Sequence, residues 1–314
     1  MTFNPPSGAR RKPAEWIVAR ERGSSTLLRL MAFLSLRLGR TLSRSVLYGI
    51  ALYFFLFAPR ARLNARRYLH LALGRMPTAR ERFRQILYFA TTIHDRVYLM
   101  NRRYDLFEIT VDGEAMMHVQ LAGGRGALLM GTHMGSFEVM RSLGRRQSGL
   151  HVAMAMYEEN ARKISGILAA ISPDFEPDII SLGRIDAMLS LAERLERGAF
   201  VGMLGDRTLG AEPVQPVTLL GKRAYLPTGP MRAASILRCT VIFMIGLYRG
   251  KNRYHVVFAP LADFSATPAK ARAEAVRAAI ERYAALLDQY CRSDPYNWFN
   301  FFDFWREQPD KPKA

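Results

Sequence analysis

Acidic residues are scarce in the first third of this chain. Residues 1–103 hold 20 Lys or Arg residues but only four acidic ones, a net charge of +16, whereas residues 104–314 add only +2 to the formal total of +18. Such a basic region can bind a polyanion, either nucleic acid or an anionic membrane surface. The hydrophobic residues between the arginines decide which of the two is expected.

The basic third also lacks an uncharged run long enough to cross a bilayer. The run from Val46 to Ala58 has 13 residues without a charge, fewer than the roughly 20 that a spanning helix needs. Four arginines bracket it closely, at positions 40, 44, 60 and 62. We therefore predict a monotopic, interfacial anchor, with arginines at lipid headgroups and aromatic residues at the interface. A pair of core helices is the alternative.

Cysteine is nearly absent. Cys239 and Cys291 define neither a disulfide framework nor a metal site, so no metal is expected and a reducing compartment is consistent with the composition. No small-residue cleavage pattern follows the apolar run, which argues against a removed signal peptide, and the arginines favour the cytoplasmic face of a membrane. Gly123, Gly124 and Gly126 lack the spacing of a dinucleotide fingerprint.

Composition and periodicity divide the chain into four parts. We predict a disordered basic tail at 1–13, a basic and apolar helical anchor at 14–103, one domain at 104–305 and a polar tail at 306–314. Within 104–305, apolar strands alternate with amphipathic helices. This alternation predicts an α/β fold with a mixed central sheet flanked by helices, preceded by the N-terminal helical membrane anchor.

The stretch 127–140, ALLMGTHMGSFEVM, reads as strand, tight turn and helix. His133 falls in the turn, and Glu138 in the first turn of the helix. An imidazole at the exposed end of a strand, with a carboxylate that can hold one ring nitrogen, is the arrangement of an oriented general base. In the alternative reading, His133 caps the turn and Glu138 complements the helix dipole.

The same turn offers groups for an oxyanion. The backbone N–H groups near Gly135 and Ser136 lie at a predicted helix N-terminus, where such groups have no intrahelical partner, so they could stabilise a tetrahedral intermediate. Ser136 could instead be a nucleophile, but it lacks the elbow pattern of a serine hydrolase, and we interpret it as a helix-start residue.

A second strand end carries Asp206 and Arg207, which follow the apolar run 199–204. In α/β sheets the chemistry collects at strand ends, so Asp206 and His133 could line one cleft although 73 positions separate them. Asp206, Arg207, Lys222 and Arg223 are candidates for binding phosphate or sugar. A structural ion pair and a solvated hairpin are the alternatives, and Arg162 is a weaker candidate of the same kind.

The stretch before the polar tail is rich in aromatic residues. Seven of the ten positions from Tyr296 to Trp305 are aromatic, which predicts either a lid on the core or a second membrane-facing patch.

Together these features resemble the lipid A biosynthesis acyltransferases, the lauroyl and myristoyl transferases of the lysophospholipid acyltransferase-like superfamily. The resemblance runs from about residue 25 to the C-terminal segment. It rests on the basic apolar N-terminus and on five ordered features: His133 with Glu138, Gly205-Asp206-Arg207, a predicted hairpin around Gly221, Pro227-Thr228-Gly229 before a helix, and Pro295-x-x-Trp298.

The resemblance implies a glycerolipid acyltransferase-like fold and an acyltransferase at the cytoplasmic face of a bacterial inner membrane. It implies that His133 deprotonates a lipid or glycolipid hydroxyl, that Glu138 orients it, and that the acyl chain arrives on acyl carrier protein or coenzyme A as a co-substrate, with no cofactor. Membrane lipids are then the expected partners, and nucleic acid is not.

Three features depart from the family pattern, the first being that Glu138 stands where Asp is also common. Gly205-Asp206-Arg207 stands where an Asp-Gln-Asp type is usual, and Phe301-Phe302-Asp303 replaces a basic end. They leave open a specialised acceptor, such as an aryl-polyene lipid, in place of lipid A. The non-enzymatic alternative is a protein that binds anionic lipid or nucleic acid through the same arginines.

Overall fold

The structure is a computed structural model that describes residues 25–146, 152–172, 178–183, 186–208 and 212–305. The tails predicted at 1–13 and 306–314 lie outside the described residues.

Three helices form the N-terminal region: α1 (Ser25–Phe57), α2 (Pro59–Leu73) and α3 (Ala79–Met100). Gly39 has non-helical angles and kinks α1. Pro59 opens α2 at a position where its missing N–H costs nothing, and Gly74 ends α2 in the left-handed conformation. At the start of α3, Thr78 and Glu81 form a reciprocal capping box.

Helix α1 buries small residues and exposes large apolar ones. Its buried positions follow a helical spacing and, apart from Leu47, carry small side chains: Ala32, Ser35, Ser43, Leu47 and Ala51. Among the side chains of α1 that the structure describes, thirteen large hydrophobic ones are exposed, including Phe33 (55%), Val46 (60%) and Phe57 (62%). A helix that packs onto a protein core normally buries its large apolar side chains instead.

No single helix of the described residues is long and apolar enough to cross a membrane. Helices α1 and α2 pass such a test of length and composition only as a pair, and they meet at a bend of 94°.

The nine strands of the described residues follow α3 and form two sheets. Their bounds are β1 (Glu108–Asp112), β2 (Ala127–Gly131), β3 (Val152–Tyr157), β4 (Ile179–Leu182), β5 (Phe200–Leu204), β6 (Val214–Leu219), β7 (Lys222–Pro227), β8 (Thr240–Tyr248) and β9 (Arg253–Asp263). The large sheet has seven strands in the order β1-β9-β8-β2-β5-β3-β4. All neighbours are parallel except β8 and β9, so the predicted mixed sheet is confirmed.

Helices cover both faces of this sheet. They are α4 (Glu114–Ala122), α5 (Phe137–Arg146), α6 (Glu158–Ile171), α7 (Ala187–Glu196), α8 (Gly229–Leu237) and α9 (Arg272–Ser293), with short 3₁₀ turns at Tyr104–Leu106 and Ala269–Ala271. Two buried apolar clusters lie on opposite sides of the strands; α2 and α9 contribute to one and α3, α5 and α6 to the other. The α/β fold with flanking helices is therefore confirmed.

Two predictions outside the large sheet can be compared with the structure. Strands β6 and β7 form the predicted antiparallel hairpin. The C-terminal segment, residues 295–305, packs against the core: Trp298 is fully buried, and Phe299 and Phe304 are each 8% exposed. Of the two predictions for this segment, a lid on the core and a membrane-facing patch, the first describes these three residues.

Candidate active site

Two neighbouring strands bring His133 and Asp206 together. Strands β2 and β5 are parallel neighbours with Gly131 opposite Leu204, and the N–H of Gly205 donates to the carbonyl of Gly131 at 3.1 Å. The chain therefore leaves both strands at the same sheet edge. His133 and Asp206, each two residues past its strand, meet there, as the pattern of strand ends predicted.

The two side chains form a direct hydrogen bond. Nδ1 of His133 lies 2.7 Å from Oδ1 of Asp206. An ionised carboxylate only accepts hydrogen bonds, so Nδ1 carries the proton and donates it, which leaves Nε2 with its lone pair. The side chain of His133 is 30% exposed while that of Asp206 is 1% exposed. The imidazole is thus hydrogen-bonded to a buried carboxylate and is itself accessible to solvent.

The second oxygen of Asp206 accepts three more hydrogen bonds. Oδ2 lies 2.9 Å from Oγ1 of Thr132, 3.0 Å from the backbone N of His133 and 3.0 Å from Nε1 of Trp298. With the bond to Nδ1, these donors match the roughly four acceptor positions of a carboxylate. They compensate for removing the charged group from water.

These contacts and burial set the protonation states. Although burial opposes its charge, the His133 ring and the donors hold the pKa of Asp206 well below its usual range. Burial, together with the neighbouring guanidinium of Arg207, lowers the pKa of His133. A neutral imidazole beside a fixed carboxylate is the state that a general base requires at neutral pH.

Glu138 has a different partner from the one that the sequence predicted. It is 6% exposed, and its Oε2 lies 3.5 Å from the guanidinium of Arg141, one helical turn along α5. The carboxylate that holds the imidazole in the structure is Asp206. A role for Glu138 at His133 stays a prediction.

The predicted oxyanion donors at Gly135 and Ser136 are already engaged. The N–H of Gly135 donates to the carbonyl of Asn297 at 2.9 Å, and that of Ser136 donates to the carbonyl of Gly246 at 2.7 Å. Gly135 has a φ of +68°, and a Cβ there would lie 1.9 Å from the Gly246 oxygen. The glycine allows close approach to strand β8, so both groups bind protein rather than face an oxyanion.

Arg207 lies beside the pair. It donates to the carbonyl of Phe299 at 3.1 Å, and its guanidinium lies 5.0 Å from the ring centroid of Phe302. Its charge acts on both His133 and Asp206. It is therefore the predicted basic residue that the structure brings to the site.

The remaining basic candidates lie elsewhere or outside the described part. Lys222 and Arg223 are exposed at the start of β7, and Arg223 packs over the ring of Tyr225. Among the described residues, no contact joins either of them to His133 or Asp206. Arg162 belongs to α6, and its side chain is outside the described residues.

Sequence reasoning missed Thr132 and Trp298 as partners of Asp206. Thr132 adjoins His133, and Trp298 was known only as the end of a Pro-x-x-Trp motif. Within the described residues, no group of three or more His, Cys, Asp or Glu side chains could hold a metal ion.

The fold and the site together indicate the kind of reaction that the protein is suited to. An α/β sheet that carries a His–carboxylate pair at adjacent strand ends, with one ring nitrogen left to accept a proton, is suited to activating a hydroxyl group.

The family comparison is more specific. Residues 16–307 match the family described as bacterial lipid A biosynthesis acyltransferase, and the chain belongs to that family. It is an acyltransferase of the lipid A biosynthesis type. A search of the curated proteins found no match to the chain.

Proposed function

We propose that this protein is a membrane-associated acyltransferase that moves a fatty acyl chain from an acyl thioester to a hydroxyl group of a lipid or glycolipid. Family membership supports the acyl transfer. The observation that carries the chemistry is the 2.7 Å bond between Nδ1 of His133 and Asp206, because it leaves Nε2 as the group that receives a proton.

Helix α1 supports the membrane association. Its buried stripe is built mainly of small residues, whereas its large apolar residues are exposed. Thirteen of the described side chains of α1 are exposed in this way, and a bilayer interface would cover such apolar side chains. Arg60 and the exposed Arg66 follow in α2 and would bind anionic headgroups. With the positive-inside tendency, these arginines favour the cytoplasmic face of a bacterial inner membrane.

In the proposed reaction, Nε2 of His133 takes the proton of the acceptor hydroxyl while that oxygen attacks the thioester carbonyl carbon. The tetrahedral intermediate collapses, the C–S bond breaks, and the imidazolium returns the proton to the departing thiolate. The products are an ester of the acceptor and the free thiol of the donor. Asp206 fixes the tautomer and stabilises the imidazolium.

We propose that Arg207 stabilises the oxyanion of the tetrahedral intermediate. It is a fixed positive charge close enough to His133 to lower the pKa of the imidazole, and charge near the reacting carbonyl stabilises the tetrahedral intermediate. The backbone N–H groups of Gly135 and Ser136 cannot take this role while they donate to protein carbonyls.

The donor is proposed to be acyl carrier protein or coenzyme A bearing the acyl chain, as a co-substrate. The acceptor is lipid A or a specialised glycolipid. A lipid or glycolipid acceptor and its product both reside in the bilayer, so an interfacial α1 would keep the site at the surface where they are found.

The test is lipid mass spectrometry on cells that express wild type, His133→Ala, Asp206→Asn or Glu138→Gln at matched membrane levels. We expect a lipid heavier by one acyl unit with wild type and none with His133→Ala. Asp206→Asn should reduce the product by about 10³ to 10⁴, because the wrong tautomer is then favoured. Glu138→Gln should cost much less if Asp206 is the orienting group.

The matched control is His255→Ala. His255 also bonds an aspartate, with Nε2 at 2.9 Å from Oδ2 of Asp112, but it lies on β9. We expect His255→Ala to leave the amount of acylated lipid unchanged. Identical lipid profiles for wild type and His133→Ala, with native acceptors present, would contradict the proposal; salt-sensitive binding of the chain to nucleic acid would then favour the binding-protein alternative.

A further inference from the structure

Trp298 connects the C-terminal segment to the His133–Asp206 pair. Its side chain is fully buried, and its ring packs edge-on against Tyr68 and Phe304, with both centroids at 5.0 Å. Its Nε1 donates to Oδ2 of Asp206 at 3.0 Å. A buried indole N–H needs an acceptor, and here the acceptor is the carboxylate that holds the imidazole.

The other donors to Asp206 come from the loop after β2. Thr132 and the backbone of His133 approach Oδ2, and Nδ1 of His133 approaches Oδ1. Trp298 is 92 positions from Asp206 in sequence, and it approaches the carboxylate from a separate segment. It therefore restrains the carboxylate from a direction that the His133 loop does not provide.

The backbone around Trp298 is itself fixed. Nε2 of the buried Gln85, on α3, donates to the Trp298 carbonyl at 2.7 Å. The N–H of Phe299 donates to the carbonyl of His133 at 2.9 Å. The side-chain amide of Asn297 bonds both the N–H and the carbonyl of Tyr248. The segment thus holds the backbone of His133 and the side chain of Asp206 at the same time.

We infer that Trp298 is a positioning residue: its indole N–H fixes the Asp206 carboxylate so that one oxygen faces Nδ1 of His133. The inferred effect on catalysis rests on the proposed acyltransferase function, whereas the effect on the imidazole does not.

Removing this N–H has a definite electrostatic consequence. A carboxylate that loses one donor has a higher proton affinity, and more of its charge then stabilises the imidazolium of His133. The imidazole should therefore become easier to protonate, and the neutral fraction that can act as a base should fall near neutral pH.

Among the described residues, Arg207, Tyr283 and Cys291 act electrostatically on the pair, and none of them changes charge between pH 5 and 8. Arg207 stays charged. Burial raises the pKa of the Tyr283 hydroxyl, whose oxygen donates to the Gly131 carbonyl, and that of the Cys291 thiol well above their usual values. A shift between pH 5 and 8 can then be assigned to His133.

The experiment measures the reactivity of His133 in the full-length protein in membranes. Diethyl pyrocarbonate modifies neutral imidazole, so the extent of His133 modification against pH, read by peptide mass spectrometry, reports its titration without any enzymatic assay. The variants are Trp298→Phe and 3-benzothienylalanine at position 298, an isostere in which sulfur replaces the N–H and the ring volume is kept.

The matched control is Trp305→Phe. Trp305 belongs to the same aromatic cluster, at 6.1 Å from Trp298, but its Nε1 has no hydrogen-bond partner in the structure. We expect the titration midpoint of His133 to rise by roughly half a pH unit with both changes at 298 and to stay at the wild-type value with Trp305→Phe.

Transfer activity provides the second measurement. The acid limb of kcat/KM should move to higher pH with the benzothienyl isostere, and kcat should fall by about tenfold, with KM for the acyl thioester unchanged. A structural role alone would lower the amount of folded protein and reduce activity equally at all pH values.

The outcomes separate the two proposals. If the isostere leaves both the His133 titration and the pH profile at wild-type values, the positioning role is overturned. If the titration shifts while the wild type transfers no acyl chain to any lipid, Trp298 positions the pair and the proposed function is wrong. If Trp298→Phe does not fold, the benzothienylalanine variant alone tests the positioning role.

Discussion

Two aromatic stretches of this protein differ in how far their side chains are buried. Residues 46–58 hold five aromatic residues and 296–305 hold seven. In α1 most of the first set are exposed, from 41% at Phe54 to 62% at Phe57. In the C-terminal segment, Trp298 is fully buried and bonded to Asp206.

The difference lies in what surrounds each stretch. The buried stripe of α1 is narrow, and the ion pair of Arg40 with Asp95 helps to hold the helix on the core. The C-terminal segment runs beside the His133 loop and exchanges backbone hydrogen bonds with it. Aromatic content alone therefore does not determine burial.

The largest effect should come from Trp298→Ala. It removes a fully buried ring and one donor to the buried Asp206 carboxylate, and such truncations cost about 3–5 kcal/mol of unfolding free energy. Thermal unfolding in detergent and resistance to proteolysis would measure the loss. A melting temperature equal to that of wild type would contradict a stabilising role for the Trp298 side chain in the core.

Arg40→Ala should have the next largest effect. Arg40 donates to both oxygens of Asp95, at 2.7 and 2.8 Å, and Asp95 is fully buried. Removing one partner of a buried pair typically costs about 3 kcal/mol, because the other charge stays behind. Limited proteolysis within α1 would show the detachment.

Arg44→Ala is the control for Arg40→Ala. It lies one turn further along α1 and, like Arg40, donates to the carbonyl of Lys251, but it bonds no buried carboxylate in the structure. We expect a loss below about 1 kcal/mol. Equal effects of the two changes would contradict the view that the Asp95 pair attaches α1.

Several features of the fold and of the site could be predicted from the sequence. The alternation of strands and helices predicted the mixed sheet, and the rule that chemistry collects at strand ends placed His133 and Asp206 at one edge. Both rest on local patterns: hydrophobic periodicity, and the turn residues that end a strand.

The partner of the imidazole could not be predicted in the same way. Glu138 was chosen because it is near in sequence, but it starts a helix, where it pairs with Arg141. Asp206 is adjacent only because β5 pairs with β2, and strand order is a property of the whole sheet. Trp298 depends on a still longer connection through α9, and the positions of Gly135 and Ser136 depend on β8.

The two regions should also differ in their response to pH. The lowered pKa of Asp206 contributes stability that is present above its unfolded value of about 3.9 and is lost as pH falls. The lowered pKa of His133 means that protonation below about 6.5 favours the unfolded state. Stability should therefore fall from pH 7 towards pH 3, and Asp206→Asn should remove the part of this fall that lies below about pH 4.

Helix α1 contains no Asp, Glu, His or Lys, so its partition into anionic vesicles should stay constant between pH 5 and 8. Thermal unfolding and vesicle sedimentation, each measured across the pH range, would test the contrast. An unfolding curve independent of pH would contradict the assigned protonation states, and the same pH dependence in both measurements would mean that binding is coupled to folding of the sheet.

The smallest effect on stability should come from Phe57→Ala, the change that tests α1 most directly. The ring is 62% exposed, so its removal should change the unfolding free energy by less than about 0.5 kcal/mol. If α1 lies in a bilayer, the same change removes apolar area from the lipid interface and should weaken vesicle binding by about 1 kcal/mol, or roughly fivefold. Phe57→Leu keeps most of that area and should bind nearly as wild type. Loss of stability without loss of binding would place Phe57 against protein, and α1 would then resemble the C-terminal segment.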